Sequence, residues 1–371
     1  MPEQEAPAAR EIEKLFRLMV KYGASDLHLK VGSPPVLRIS GSLRNLELPP
    51  LSAPQVKKLI YEILNEHQQK VLEDVGDVDL AYAVEDTLRL RINAFHQRGA
   101  LSLAARLVNA EIPSFHDLHL PPETMERIAS FDQGFVIITG PTGSGKSTTL
   151  ASLIEYINNT RRCHIVTIED PIEYTYTDRR AIINQREVGI DVQSFREALK
   201  YVVRQDPDVI LLGEMRDTET VQAGLAASET GHLVFGTLHA ATVSQAFTRL
   251  LEFFEAGRQQ AIRTSLRFNL RSIIAQKLLA GCKPEVPRVP ALEIMLVNAP
   301  IAKMIEEAND VKILDVIKSA RDEGMLDFNR SMYELIQNEY ITKAVGKQAA
   351  TNPQALEAML QGVFQRESAL T

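Results

Sequence analysis

The sequence predicts an α/β fold in two parts, a small α+β domain followed by a larger domain built on a parallel sheet with helices on both faces. Three observations carry this. The glycine-rich stretch Gly140-Pro141-Thr142-Gly143-Ser144-Gly145-Lys146-Ser147 stands between the apolar run Phe135-Val136-Ile137-Ile138 and a helix-like segment, 148–157. Further apolar runs then alternate with helical stretches, the pattern of parallel strands joined by crossover helices. Ahead of them lie short segments of alternating polarity, as in Leu88-Arg89-Leu90-Arg91-Ile92, which read as half-buried strands. The expected division is residues 1–106, a linker 107–120, and residues 121–371.

Taken in order, Ile12, Leu15, Phe16, Met19 and Val20 recur at helical spacing, so an amphipathic helix over 11–23 opens the chain and stops at Gly23. Between about 26 and 106 the alternating segments, among them Val36-Leu37-Arg38-Ile39, are interrupted by one helix near 54–71. Pro113, Pro121 and Pro122 fall in a stretch of weak periodicity that leads into the second domain. There, strands are expected at 135–139, 165–168, 209–212 and 233–238, and helices near 148–157, 194–204 and 217–228. From about Gln259 the pattern looks helical, including 260–280 and 331–338, and the tail 342–371 is expected to be partly mobile.

Composition narrows the class. A chain of 371 residues can hold two cores, and 45% hydrophobic with 24% charged is ordinary globular usage. Cys163 and Cys282 lie far apart with no CxxC pair, which indicates neither a disulfide framework nor a zinc site and fits a reducing compartment. No apolar run approaches the ~20 residues of a membrane span, and Met1-Pro2-Glu3-Gln4-Glu5 lacks the basic and apolar regions of a signal peptide. Neither secretion by signal peptide nor membrane insertion is expected. The net charge of −7 is spread over intermixed acidic and basic residues, which argues against a nucleic-acid track.

The chemistry concentrates around the glycine-rich stretch. Its glycines let successive backbone N–H groups face a phosphate, Lys146 can reach the β/γ oxygens of a bound nucleotide, and the Ser147 hydroxyl can hold Mg²⁺. Strand, loop and helix together make a phosphate-binding loop, with Gly140, Pro141, Thr142, Gly143, Ser144, Gly145, Lys146, Ser147 and Thr148 as nucleotide-binding residues and ATP with Mg²⁺ as the expected ligands. Thr167-Ile168-Glu169-Asp170-Pro171-Ile172-Glu173 puts carboxylates at a strand end, where open α/β sheets place ligands. Glu169 is the candidate to orient or deprotonate water, with a structural ion pair as the alternative. In Asp208-Val209-Ile210-Leu211-Leu212-Gly213-Glu214, the last residue could hold Mg²⁺ through water and polarise the nucleophile. The roles of Glu169 and Glu214 could be exchanged. In Thr230-Gly231-His232-Leu233-Val234-Phe235-Gly236-Thr237-Leu238-His239, His239 could sense the γ-phosphate; His232 taken alone suits a structural role better, and is counted with the nucleotide contacts only as part of the set.

These four segments, GPTGSGKST, TIEDPIEY, GEMRD and TGHLVFGTLH, resemble the Walker A, Asp box, Walker B and His box of the type II/type IV secretion ATPases. Within that family the whole chain looks like the pilus motors of the PilT and PilU type, from Ser25-Asp26-Leu27-His28 through Gln185-Arg186-Glu187-Val188-Gly189 to Gly324-Met325. The four-cysteine zinc motif usual in extension-type relatives is missing. The resemblance implies a PAS-like N-terminal domain, a RecA-like P-loop ATPase domain with a helical C-terminal region, and a cytoplasmic homohexamer. It also implies arginines of the first domain that close on the phosphates, and Arg91 and Arg106 match those positions by spacing. Guanidinium groups there would stabilise charge on the transferring phosphoryl oxygens. Arg98 is expected to be a solvated surface residue instead.

The function this resemblance implies is that of an ATPase motor for type IV pilus retraction. Such a motor would work at the inner face of the cytoplasmic membrane on an inner-membrane platform protein, with a paralogous pilus motor as a further partner and no nucleic acid. Two departures stand out. Retraction motors carry a segment like PAIRNLIRE, where this chain reads Ala299-Pro300-Ile301-Ala302-Lys303-Met304-Ile305-Glu306-Glu307, with Ala302 and Glu306 in place of both arginines. That leaves an accessory motor or a divergent retraction ATPase open, beside an assembly or secretion motor of the same family. The stretch His239-Ala240-Ala241-Thr242 also departs from the usual HTNS or HANS. A RecA-like nucleic-acid motor is the rival from another class, and would need a basic pore and steep salt dependence.

Overall fold

The computed structural model describes residues 10–39, 41–84, 88–108 and 111–363. Contacts divide the chain into two compact units, one running to Glu111 and including Glu173–Thr175, the other comprising Ile112–Ile172 and the chain from Tyr176.

In the first unit, α1 (Glu11–Lys21) buries Ile12, Leu15, Phe16 and Met19, spaced to one helical face. Val20, counted with that face in the sequence, points off it and is 55% exposed. Strands β1 (Ala24–Lys30), β2 (Val36–Ile39), β3 (Ser42–Asn45), β4 (Asp77–Val84), β5 (Leu88–Gln97) and β6 (Ala100–Leu107) form a sheet in the order β3-β2-β1-β6-β5-β4, each pair antiparallel. One expected helix near 54–71 is two, α2 (Ala53–Tyr61) and α3 (Glu66–Val75). The break is capped: Asn65 Oδ1 accepts from the Gln68 amide at 2.9 Å while the Asn65 amide donates to Gln68 Oε1 at 3.0 Å. Two end donors are thereby satisfied, which outweighs helical continuity. Along β5, Leu88, Leu90, Ile92 and Ala94 are buried and Arg91 is exposed between them, the alternation that marks a sheet with one covered face.

The second unit begins before its first helix, since Phe115 and Leu120, in the stretch expected to link the domains, are buried in its core. After α4 (Pro122–Ala129) come β7 (Gly134–Thr139), α5 (Lys146–Thr160), β8 (His164–Glu169), β9 (Ile182–Glu187), α6 (Phe195–Val202), β10 (Val209–Leu212), α7 (Thr218–Glu229), β11 (Leu233–Leu238), α8 (Val243–Glu252) and α9 (Ala256–Asn269). The chain then turns back into the sheet as β12 (Leu270–Lys283) and β13 (Val286–Leu296) before α10 (Ala299–Glu306), α11 (Ile313–Ser319), α12 (Phe328–Gln337), α13 (Lys343–Ala349) and α14 (Pro353–Leu360). The strand order is β13-β12-β7-β11-β10-β8-β9, parallel throughout except for the antiparallel β12–β13 pair. Every residue of β7, β10 and β11 is buried, so both faces of the central sheet are covered.

Two expectations for this unit are corrected. The helix expected over 260–280 ends at Asn269, and 270–283 is a strand. Leu270, Ile273, Ile274 and Ala275 form an apolar run that serves a helix or a doubly buried strand equally well by spacing, and pairing with β7 decides it. β9 has no counterpart among the strands expected from the sequence, because Ile182-Ile183-Asn184-Gln185-Arg186-Glu187 is an edge strand with few buried residues. Within the stretch 342–371, α13 and α14 are helical and Leu356 joins the core; residues 364–371 lie outside the described residues.

The central strand sets a first expected outcome. Phe235→Ala on β11, with its side chain fully buried, should cost about 3–5 kcal/mol in denaturant unfolding of the full chain. Val20→Ala should stay within about 0.5 kcal/mol. A Phe235 variant as stable as the parent would contradict the packing of this strand.

Candidate functional site

Parallel strands deliver their C-terminal ends to one edge of the sheet, and four of those ends carry the sequence candidates. β7 ends at Thr139 before Gly140, β11 at Leu238 before His239, β10 at Leu212 before Gly213 and Glu214, and β8 ends on Glu169 itself. The order β7-β11-β10-β8 places the loop first, then His239, Glu214 and Glu169. With neighbouring strands about 4.8 Å apart, Glu214 sits on the second strand from the loop's own and Glu169 on the third.

The loop wraps the N-terminus of α5. Gly145 takes a left-handed φ of +88° as the cap residue, and Gly140 has φ +155°. A Cβ on Gly140 would stand 2.4 Å from the Gln276 carbonyl oxygen, and one on Gly145 2.8 Å from Gln276 Nε2, so β12 closes one side of the loop. Lys146 Nζ donates to the Gly140 and Pro141 carbonyls at 2.9 and 3.2 Å. The Ser144 hydroxyl is buried without a hydrogen-bond partner. A helix N-terminus, a lysine over the loop and an unsatisfied donor within it together favour an anion. Ser147 and Thr148 fall in the first turn of α5.

His239 and its neighbours are tied to the loop strand. Leu238 pairs with Thr139 in register, the Thr139 hydroxyl donates to the Ala240 carbonyl at 2.9 Å, and the Ala240 amide donates back at 2.8 Å. On the other side, His239 Nε2 is 3.0 Å from Glu214 Oε1. The second Glu214 oxygen, Oε2, accepts from the Arg216 guanidinium at 2.6 Å. That hydrogen bond, and after it the charges of Arg216 and His239, hold the Glu214 carboxyl below the ordinary range against a partial burial that would raise it. The turn carrying Glu214 rests on β8 and β11 through Gly213 N to Ile168 O at 2.8 Å and Met215 N to Thr237 O at 3.0 Å. Glu169 Oε1 accepts from the Thr167 hydroxyl at 2.6 Å and from Gln185 Nε2 at 3.1 Å.

The remaining candidates lie elsewhere. His232 precedes β11, at the opposite edge of the sheet, about 20 Å from the loop by strand length. Its Nδ1 lies 2.9 Å from the Ala227 carbonyl and 3.1 Å from the Thr230 hydroxyl, so the ring closes the end of α7. Arg91 and Arg106 belong to the first unit, where they are direct cross-strand partners on β5 and β6. Arg106 Nε donates to the buried Asp26 at 2.8 Å, and Arg38 stands 3.5 Å from the same carboxylate. Arg98 is the φ +52° residue of the β5–β6 turn, beside Gly99.

Four residues that the sequence pattern does not single out complete the site: Arg216 on Glu214, Gln185 on Glu169, Thr139 under His239, and Gln276 against the loop. Arg216 was legible in principle, two residues beyond Glu214. Gln185 opens the Gln185-Arg186-Glu187-Val188-Gly189 stretch of the resemblance, whereas Thr139 and Gln276 reach their partners across strands and no local pattern announces them.

The family model described as Type II/IV secretion system protein matches residues 2–365. Over 344 residues the chain is 39% identical to the type IV pilus retractation ATPase PilT of Pseudomonas aeruginosa, covering 93% of this chain and 99% of that protein. It is 37% identical over 333 residues to the type IV pilus ATPase PilU of the same organism, covering 90% and 86%. Among solved structures, the pilus retraction motor PilT with bound ADP superposes with a TM-score of 0.86 at 40% identity, covering 95% of this chain and all of that one. The Legionella pneumophila ATPase DotB follows at 0.73 and 25% identity, covering 93% and 97%.

The Glu214 pair sets a pH dependence. A carboxyl held below its ordinary value of about 4.3 contributes stability that is present above that value and lost as pH falls through the folded one. Arg216→Ala should therefore raise the Glu214 titration toward the ordinary range, followed by carboxyl NMR with Glu214→Gln as the assignment control. Because the Arg216 side chain is 65% exposed, the stability change at neutral pH should stay below about 1 kcal/mol. An unmoved titration would remove Arg216 as the cause.

Proposed function

The chain belongs to the type II/IV secretion system protein family, and on that footing we propose that it is a ring-forming motor of six copies that hydrolyses ATP to drive type IV pilus retraction. The observation that carries this reading is the near end-to-end match to a relative of that name, 93% of this chain against 99% of the relative, with an intact strand-end site inside it. Its fold is the α/β fold of that family, an N-terminal domain and a RecA-like domain.

In this reading the loop amides and Lys146 bind the β- and γ-phosphates, and the α5 N-terminus adds its favourable field. Ser147 and Glu214 offer hydroxyl and carboxylate oxygens, a donor set that suits a magnesium ion already carried by phosphate oxygens. Both Glu214 oxygens have protein partners, Arg216 and His239, so the carboxylate would act on such an ion through water. When bound, the ion neutralises charge developing on the phosphates. Glu214, kept ionised by its partners, is a weak proton acceptor and a good anion for orienting water. Glu169, fixed by Thr167 and Gln185, takes the role of aligning the attacking water or accepting its proton. His239, between loop and Glu214, reports the γ-phosphate to that carboxylate. Arg91 and Arg106 are assigned to charge stabilisation on the transferring phosphoryl group, which for Arg106 requires exchanging Asp26 for a phosphate.

No described helix is long and apolar enough to cross a membrane. The proposed place of work is the inner face of the cytoplasmic membrane, against a platform protein. An accessory role beside a second motor has its own support. In α10 the Glu306 carboxylate is ion-paired to Arg267 of α9, at a position where the retraction motif carries arginine. This reversed charge and the PilU-like relative at 37% identity favour it as the second reading.

The test is ATPase activity against protein concentration with mass by light scattering, for the parent, Lys146→Ala and Glu214→Ala. Activity should rise with a six-subunit mass. Lys146→Ala should lose nucleotide binding, and Glu214→Ala should keep binding with turnover down at least about a hundredfold. Normal turnover in the Glu214 variant, or activity from a monomer, would overturn the proposal. Restored twitching on expression in a strain lacking its retraction motor separates that role from the accessory one.

A further inference from the structure

Gln276 is a strand residue with 2% exposure, and both ends of its amide are spent on the phosphate loop and its helix. Nε2 donates to the Ser144 carbonyl at 2.6 Å, and Oε1 accepts from the Thr149 hydroxyl at 2.9 Å. Thr149 lies in the first turns of α5, while Ser144 precedes left-handed Gly145. One side chain thus spans the joint between loop and helix.

The Ser144 bond fixes more than a carbonyl. A trans peptide is planar, so its C=O and the following N–H point in opposite directions. With the Ser144 oxygen held toward β12, the Gly145 N–H is aimed away from β12. A glycine at φ +88° has no Cβ to bias this peptide, and without an anchor the plane is free to rotate. The geometry points to Gln276 as a positioning residue for nucleotide phosphates, holding the Ser144–Gly145 peptide so that the Gly145 amide faces a phosphate oxygen. This rests on the nucleotide-binding reading above. Gln276 touches no reacting atom; it acts through the loop. Thr149 satisfies the other end of the Gln276 amide.

The experiment titrates a fluorescent ADP analogue and measures KM and kcat for ATP in the full chain, with melting temperature recorded without nucleotide. Gln276→Leu removes both bonds at similar volume and leaves the Ser144 carbonyl buried without a donor. Affinity should fall, and KM rise, about tenfold, while kcat at saturating ATP stays within about twofold and the apo protein still melts cooperatively. Gln276→Glu keeps an acceptor for Thr149 and loses the donor for Ser144, and should match the leucine variant. Thr149→Val, which spares the Ser144 bond, should stay within about threefold of the parent. A leucine variant that binds within about twofold of the parent overturns the inference, as does a fall in kcat at unchanged KM, the mark of a smaller folded fraction. If the leucine variant does not fold, the glutamate variant is held to the same limits. A parent chain that fails to bind the analogue sinks the nucleotide reading itself, whereas a binding parent with indifferent variants sinks only this one.

Discussion

The register between β7 and β11 is the constraint on which the rest of the site depends. Leu233 to Leu238 pair residue for residue with Gly134 to Thr139, inside a sheet where every residue of both strands is buried. Buried backbone N–H and C=O groups have no water to fall back on, so this ladder cannot slip by one residue without leaving donors and acceptors unpaired and reversing which side chains face each layer. Fixing it fixes the loop and His239 side by side. The reciprocal bonds between the Thr139 hydroxyl and Ala240 carry that alignment one residue past the strand ends.

From that edge the chemistry spreads sideways, one strand at a time. Glu214 is held from two directions, by an imidazole on the loop side and a guanidinium on the solvent side. Opposed partners of this kind restrict the carboxylate's position and favour its charged form, at little net gain in stability because Arg216 is largely exposed. Glu169, two strands beyond His239, accepts from the Thr167 hydroxyl and the Gln185 amide.

What was legible in the sequence was local. The glycine loop, the strand before it and the helix after it lie within two dozen residues, and the strands bearing Glu169, Glu214 and His239 each announce themselves by an apolar run that ends on a polar group. The α-helical segments with one apolar stripe were equally plain, α1 above all. Illegible were features settled by long-range pairing. β12 reads as helix because its apolar run fits either period, and only β7 beside it decides. Gln276 was hidden by the same misreading, since a glutamine inside an expected helix suggests a solvated face. His232 and His239 share a motif, yet the intervening strand carries the two to opposite edges.

The two contacts that β12 makes with the glycines of the loop differ in kind. Gly140 is confined by the main-chain oxygen of residue 276, an atom every amino acid at that position would bring, whereas Gly145 is confined partly by a side chain that another residue would not supply. Over evolutionary drift, or in a randomised library, position 140 should therefore tolerate nothing whatever happens on β12. Position 145 should be conditional: its tolerance for a residue that accepts left-handed backbone, such as asparagine, would open only in backgrounds where 276 has already shrunk. The loop and a strand more than 120 residues downstream are in this sense inherited together, and order of substitution, not only identity, decides which loops can be reached.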